Sequence, residues 1–551
     1  MAQATTPQRA PVPASVDVVI VGAGFGGMYM LHRLRGLGLS AIVFDVAAGV
    51  GGTWYWNRYP GARCDVESMQ YSYSFADAIQ QEWQWSELFA GQPEILRYAN
   101  YVADRLDLRR DMRFETRVTA AEFDETASRW TVRTDRGDVV SARFCIMATG
   151  CLSAARMPDF PGMDSFTGKI YHTGHWPHEG VDFTGLRVGV IGTGSSAIQS
   201  IPVIAAQAKH VTVFQRTPNF SIPSRNGPMP EAYAQSWKQD YAAKRAEARM
   251  SRNGIVAYPL DRSAIETPEA ERLAIYEQRW VSGGTTFMAA FNDLAVNKAS
   301  NDTAAEFVRG KIRAMVKDPA TADLLAPTNH PIGTKRICVD TDYYTTYNRE
   351  NVSLVDVRQQ PIEALTPAGL RVGEREYAFD AIVFATGFDA MTGALTRMGI
   401  AGRDGETLAA KWEAGPRTYL GLMTAGFPNM FMITGPGSPS VLSNMMVSIE
   451  QHVDWIADCL ASMRKRGLDL IEADLDAEDA WVQHVNDVAH TTLYPAAASW
   501  YMGANIPGKP RVFMPYIGGV GAYRQKCDAV AANGYEGFIL GEPAPVAVAA
   551  E

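Results

Sequence analysis

Gly22-Ala23-Gly24-Phe25-Gly26-Gly27 and, much further along, Gly192-Thr193-Gly194-Ser195-Ser196-Ala197 are the two stretches that decide the fold of this 551-residue chain. Each follows a short β-branched run, residues 16–21 and 188–191. The pattern reads as strand, tight glycine turn and helix start. The glycines permit the turn, let backbone N–H groups approach a pyrophosphate, and allow the helix to pack close on its strand. One such unit is weak evidence, but two in one chain imply an enzyme that holds two dinucleotides together, commonly a flavin and the nicotinamide that reduces it.

The residues closing each unit separate the two ligands. Asp45 ends the next apolar run, residues 41–44, and is placed to accept hydrogen bonds from a ribose diol, as FAD or NAD requires. In the second unit the matching run 211–214 leads into Gln215-Arg216-Thr217, a cation and a hydroxyl where an acid would otherwise stand. That favours NADPH, because a guanidinium suits a 2′-phosphate.

Between the two units lies Phe166-Thr167-Gly168-Lys169-Ile170-Tyr171-His172-Thr173-Gly174-His175-Trp176-Pro177. Its pattern, Phe-x-Gly-x-x-x-His-x-x-x-Trp-Pro, closely resembles the signature of Baeyer-Villiger monooxygenases. A second signature of that family is matched upstream by Gly51-Gly52-Thr53-Trp54, Tyr59-Pro60-Gly61 and Asp65. The resemblance runs from about residue 16 to 540 and is nearest to members acting on aryl-alkyl ketones. It implies an enzyme that uses NADPH and O2 to turn aryl-alkyl or cyclic ketones into esters or lactones, through an FAD C4a-peroxide anion and a tetrahedral adduct.

Negative charge persists through those oxygen steps, so the site needs a donor that cannot lose its proton, and arginine is that side chain. Gly333-Thr334-Lys335-Arg336 supplies one. By resemblance Arg336 is the catalytic arginine, Asp65 the carboxylate that orients it, and Lys335 a second phosphate contact beside Arg216 and Thr217. The resemblance also makes Trp54, Tyr55, Trp56, Tyr71, Val118 and Met445 flavin contacts, and Thr53, Arg63, Cys64 and Gln199 further cofactor-binding residues. Trp500 resembles the tryptophan of a mobile loop that folds over bound NADP+, and the nearby glycines and Pro507 suit a loop that orders on binding. His172 is the tempting general base, but its signature lies on a link between domains, so a hydrogen-bonding hinge role is the better reading.

The fold expected is α/β, two nested Rossmann-like domains for FAD and NADPH with a helical insertion in the second. Residues 1–15 read as a flexible tail, 16–150 and 388–540 as the FAD domain, 151–222 and 329–387 as the NADPH domain, 223–328 as the insertion and 541–551 as a C-terminal tail. Two apolar runs closing on Ala-Thr-Gly, at 148–150 and 385–387, resemble the crossings between these domains. In the insertion, residues 302–317 read as a helix capped by Asp302 and followed by Pro319, with Phe307, Val308, Ile312, Met315 and Val316 on one face. Residues 448–466 read as another, with Ile449, Val453, Ile456, Leu460 and Met463 aligned and Gly467 beyond its end.

A formal net charge of −9 argues against nucleic acid or an anionic membrane as partner, so local cations and helix ends must meet the anionic cofactors. The six cysteines show no Cys-x-x-Cys, which suggests neither a disulfide framework nor a zinc site, and a reducing cytoplasm is the simplest home. No stretch reads as a membrane span or signal peptide, and no protein partner is implied. A disulfide reductase would need a close cysteine pair that is absent. An N- or S-hydroxylating flavin monooxygenase shares both glycine units but usually lacks the Trp176-Pro177 ending. A non-catalytic FAD/NADP-binding redox sensor would have no reason to hold Asp65, Lys335 and Arg336 together, and an uncoupled NADPH oxidase stays open from the motifs alone.

Overall fold

The structure is a computed structural model that describes residues 11–257 and 259–542. Two separate sheets carry the two glycine units. In the first, Ser15–Val21 lies parallel between Val139–Met147 and Ala41–Phe44, and Met112–Arg113 extends the parallel run. On the far side Val118–Asp124 and Arg129–Thr134 add antiparallel strands. The chain then leaves, and returns only with Ile400–Ala401 beside Val118–Asp124 and Met430–Met432 beside Val139–Met147. The second sheet is wholly parallel, in the order Val352–Asp356, His210–Gln215, Arg187–Ile191, Ala381–Phe384, Lys169–His172. Its central strands are buried on both faces and read as unbroken apolar runs, as parallel strands do.

The Ala-Thr-Gly junctions acquire a physical reason here. Gly22 has φ +111°, and a Cβ on it would lie 2.4 Å from the carbonyl oxygen of Ala148; Gly192, at φ +113°, meets Ala385 in the same way at 2.5 Å. Each junction therefore closes onto the first glycine of its own unit, where only hydrogen fits.

Helix Met445–Arg466 buries Ile449, Val453, Ile456, Leu460 and Met463 and ends at Gly467 in the left-handed conformation (φ 68°). Each such side chain contributes roughly 1.5–3 kcal/mol on burial. The helix starts three residues earlier than its periodicity indicates, because Asn444 accepts the N–H of Met446 as its cap. It packs on Phe25–Gly36, where the Tyr29 hydroxyl donates to Asp454 at 2.6 Å.

Three expectations need correction. The insertion helix runs Lys298–Met315 and is capped by Asn297, not Asp302; Asp302 lies inside it, paired with Lys298 one turn back. Pro319 follows the end of that helix, as expected, and opens the next one, Pro319–Leu325. The N-terminal tail is shorter than 15 residues: the Pro11 carbonyl accepts from Arg113 at 2.8 Å, Val12 packs on the first sheet and Ser15 is already in its strand. Residues 1–10 and 543–551, on which the rest of the tail expectations fall, lie outside the described residues.

The helices between Pro223 and Cys338 do not share one core. Trp237 and Tyr241, on Glu231–Gln239 and Tyr241–Met250, pack into the core of the first sheet, whereas Tyr276 and Trp280, on Glu269–Ser282, pack into that of the second. Arg245 fastens the first pair: its buried guanidinium donates to the carbonyls of Met69 and Gln70 and to the Ser72 hydroxyl.

Candidate active site

The glycine turns of both sheets open into one cavity of about 1250 Å³. The helices that follow them, Phe25–Gly36 and Ser195–Gln207, begin at Gly24 and Gly194 with no side-chain cap. The first N–H groups of the two glycine-capped helices are thus left for a ligand, and with the helix dipole they suit phosphate. Gly52 faces Gly24 so closely that a Cβ on it would sit 2.9 Å from the Gly24 Cα, leaving a cradle of bare backbone. Asp45 stands at the cavity wall, where it accepts the N–H groups of Ala23 (2.6 Å) and Ala47 (2.7 Å). Burial raises its pKa and the two N–H bonds oppose the rise. A carboxylate at the cavity wall beside a helix start with no side-chain cap fits the ribose and pyrophosphate of FAD.

Around the second turn the charges are of the opposite kind. Arg216 and Lys335 both line the cavity, and neither has a carboxylate partner among the described residues. Burial, with the neighbouring Arg216 charge, lowers the Lys335 pKa. Two unneutralised cations drawn to one spot are a site for an anion. Thr193 donates to the Thr217 carbonyl at 2.7 Å and fixes the turn against the strand end that carries Arg216. This donor set fits the phosphates of NADPH.

Arg336 and Asp65 line the same cavity as the two turns. Nε donates to Oδ2 at 2.7 Å and Nη2 to Oδ1 at 2.8 Å, a fork that fixes the guanidinium plane, while Nη1 donates to the Val441 carbonyl at 2.7 Å. Asp65 first, and its hydrogen bonds, hold the Arg336 pKa well above the ordinary arginine value. The pair is partly open to the cavity, with side chains 32% and 19% exposed.

Every cofactor-binding candidate lines the cavity except Gly27, Tyr55 and Ala197. Gly27 lies beneath the turn, against the Gly22 carbonyl, and Ala197 is buried in the second core. Tyr55 faces the other way: its hydroxyl accepts from the Ala48 N–H at 3.1 Å and its ring packs on His178. Trp54 is a wall residue, with Nε1 donating to the Tyr71 hydroxyl at 3.0 Å. Arg63 spends one end of its guanidinium on Glu87 and the Phe89 carbonyl, and Gln199 bridges Tyr59 and the Arg63 carbonyl, so both also tie the two sheets' segments together. His172 is buried; Nδ1 accepts the Gly174 N–H at 2.9 Å and Nε2 donates to the Arg156 carbonyl at 3.1 Å. Burial, then the His175 charge, push it down to about 4, so it is neutral and both nitrogens are spent on backbone.

Sequence reasoning missed several groups. The Val441 carbonyl has no side-chain signal. Asn57 Oδ1, Asn219 Oδ1 and Ser499 Oγ are buried and unpartnered on residues of the cavity wall. Asn219 stands two positions beyond Thr217, and that closeness to the strand end of the second glycine unit is the only hint the sequence carries.

A family model described as pyridine nucleotide-disulphide oxidoreductase matches residues 19–229. All six cysteines are free and buried, so what is shared with that family is the dinucleotide scaffold. A Baeyer-Villiger monooxygenase of Pseudooceanicola batsensis is 44% identical over 537 residues, covering 96% of this chain and 97% of that protein. The phenazine N-monooxygenase PhzNO1 of Lysobacter antibioticus is 43% identical, covering 95% and 97%. A solved structure of oxidised steroid monooxygenase bound to NADP is 55% identical with a TM-score of 0.92, covering 96% of this chain and all of that one.

Proposed function

The chain belongs to the Baeyer-Villiger monooxygenases, and from that premise we propose that Arg336, oriented by Asp65, is its catalytic residue and that aryl-alkyl and cyclic ketones are its substrates. The enzyme uses FAD, NADPH and O2 to oxygenate ketones. FAD, once reduced by NADPH, supplies the activated oxygen, and the chain supplies placement and charge.

Arg336 keeps its charge at every working pH, and three of its N–H donors are already spent on Asp65 and Val441. Those bonds preorganise the guanidinium, so the donors that remain meet negative charge without reorganising. Arg216, Thr217 and Lys335 hold the 2′-phosphate, and Asp45 the ribose of the flavin nucleotide. Trp500 covers the nicotinamide cofactor, and the ketone enters beside Val441, Ser443 and Met445, which share the cavity wall with Arg336. His172 has no proton to trade and serves as a fixed joint. Six buried free thiols suit a reducing compartment, so we place the enzyme in the cytoplasm.

The observation that carries this reading is the Arg336–Asp65 fork inside a cavity shared by both glycine turns. A screen of NADPH consumption against phenylacetone, cyclohexanone, cyclopentanone and a steroid ketone, with products identified by mass spectrometry, tests it. Ester or lactone from at least one is expected. The likeness to a phenazine N-monooxygenase favours one second reading, N-oxidation of aromatic heterocycles. Phenazine therefore joins the panel, and turnover of phenazine with none of the ketones would replace the first reading by the second.

A further inference from the structure

Residues 499–510, which bring Trp500 to the cavity wall, are fastened to both chain crossings between the sheets. The crossings lie side by side: Ala155 and Phe388 form an antiparallel bridge, and the Asp389 N–H donates to the Ala154 carbonyl at 2.9 Å. Arg156 Nη1 donates to the Asn505 carbonyl at 2.5 Å, and Asn505 Nδ2 to the Phe388 carbonyl at 2.8 Å. The Lys509 ammonium reaches Asp389 at 2.8 Å and the Ala390 carbonyl at 2.9 Å. The Lys509 and Asp389 side chains are only 12% and 14% exposed, so solvent and salt screen the pair little. Arg397 meets the same carboxylate from the open side at 2.8 Å. Room for the carboxylate is made at Gly393, where a Cβ would lie 2.5 Å from the Asp389 Cγ.

We propose that Asp389 is a positioning residue for the nicotinamide cofactor: with Lys509 it latches the Trp500 segment over the cavity. Asp389 does not itself line the cavity, so it acts through the segment it holds. Because it sits on the second crossing, against the first, the segment can dock only when the two sheets stand at the angle seen here. The Arg156 carbonyl that His172 holds belongs to the same assembly, which gives the buried histidine a task. The inference rests on the reading of Trp500 as an NADP(H) contact.

The test is titration of NADP+ onto oxidised, FAD-loaded enzyme, with hydrogen exchange followed over residues 499–510. Asp389→Asn and Lys509→Met should each raise the Kd about tenfold and speed exchange across the segment in the NADP+ complex. Because the two side chains act as one contact, the double variant should be no weaker than either single, and Lys509→Arg should stay within about twofold of the parent. An unchanged Kd in both folded single variants overturns the latch, as does a double variant weakened about a hundredfold. Trp500→Ala separates the two ideas: no loss of NADP+ affinity there sinks the underlying reading, whereas a loss there beside unaffected latch variants sinks the latch alone.

Discussion

Arg336→Ala should leave reduction by NADPH nearly intact and abolish ester formation. Removing one preorganised donor from a developing oxyanion costs about 10²–10³ in rate, or about 2.7–4 kcal/mol. Two features of this site push the loss to the upper end or beyond. The guanidinium is a full charge held in a fork, and its removal strands Asp65, whose side chain is 19% exposed. Left unpaired at the cavity wall, that carboxylate would also repel negative charge forming beside it. The alanine variant should therefore consume NADPH and release hydrogen peroxide in place of ester. Asp65→Ala in the same background should restore part of the product, because it removes the stranded charge.

The fold should survive the change. Losing one partner of a fully buried pair costs about 3–5 kcal/mol, but this pair is partly open to the cavity, and the figure falls toward about 1–2 kcal/mol. Stopped-flow reduction, product analysis and a melting curve on the FAD-loaded variant decide the matter. Normal ester yield, or a reduction step slowed as much as oxygenation, would refute the assignment of charge stabilisation to Arg336.

Arg216→Ala, and more so its combination with Lys335→Ala, should raise KM for NADPH while leaving that for NADH almost unchanged, each lost contact being worth roughly 1.5–3 kcal/mol; equal weakening of both cofactors would show the 2′-phosphate lies elsewhere. Acid should destabilise the protein well above the carboxylate range. Burial pushes His172 to about 4 and His452 to about 3, so the unfolded chain binds more protons below about pH 6.5, and stability present above that pH is lost as the pH falls toward 4. His172 alone withdraws about 3 kcal/mol over that window, and denaturant midpoints flat from pH 7 to 5 would contradict this. Deleting Val441 and Leu442, or Met445→Gly, should widen acceptance toward bulkier ketones without altering NADPH affinity, judged by kcat/KM on paired small and bulky ketones. An unchanged ratio would take the segment out of the substrate pocket.

What could be read in the chain beforehand was what is local. A glycine turn, the residue that ends the next strand and the caps around it lie within a few tens of residues, so Asp45 and Arg216 could be assigned opposite preferences before any tertiary contact was known. Asp65 and Arg336 could be paired only through a resemblance, because nothing in either neighbourhood encodes a contact across most of the chain. Cap choice failed where two polar residues competed. Asn297 and Asp302 both precede apolar helical positions, and Lys298, one turn before Asp302, gave the acid a better use as an ion-pair partner. The antiparallel strands Ile362–Thr366, Gly369–Val372 and Arg375–Ala378 carry little sequence signal, since their alternation is shallow and Arg375–Ala378 is largely exposed.

The helices from Glu231 to Met250 show a deeper limit. Amphipathicity says that a helix has a buried face, not which core receives it, and Trp237 and Tyr241 look no different in sequence from Tyr276 and Trp280. Yet the first pair packs into the core of the first sheet and the second into that of the second. The chain therefore passes from one half to the other after Val256, which packs against the first core, and before Ala264, which is buried in the second. Any change of angle between the sheets must be absorbed there as well as at the two Ala-Thr-Gly junctions. The segment at Val441 is bound by the same geometry: its carbonyl is a partner of Arg336, so reshaping it for substrate also loosens the guanidinium we propose as catalytic. Wider ketone acceptance in the deletion variant should for that reason come with more hydrogen peroxide per NADPH, whereas Met445→Gly, which leaves the carbonyl in place, should widen acceptance without that leak.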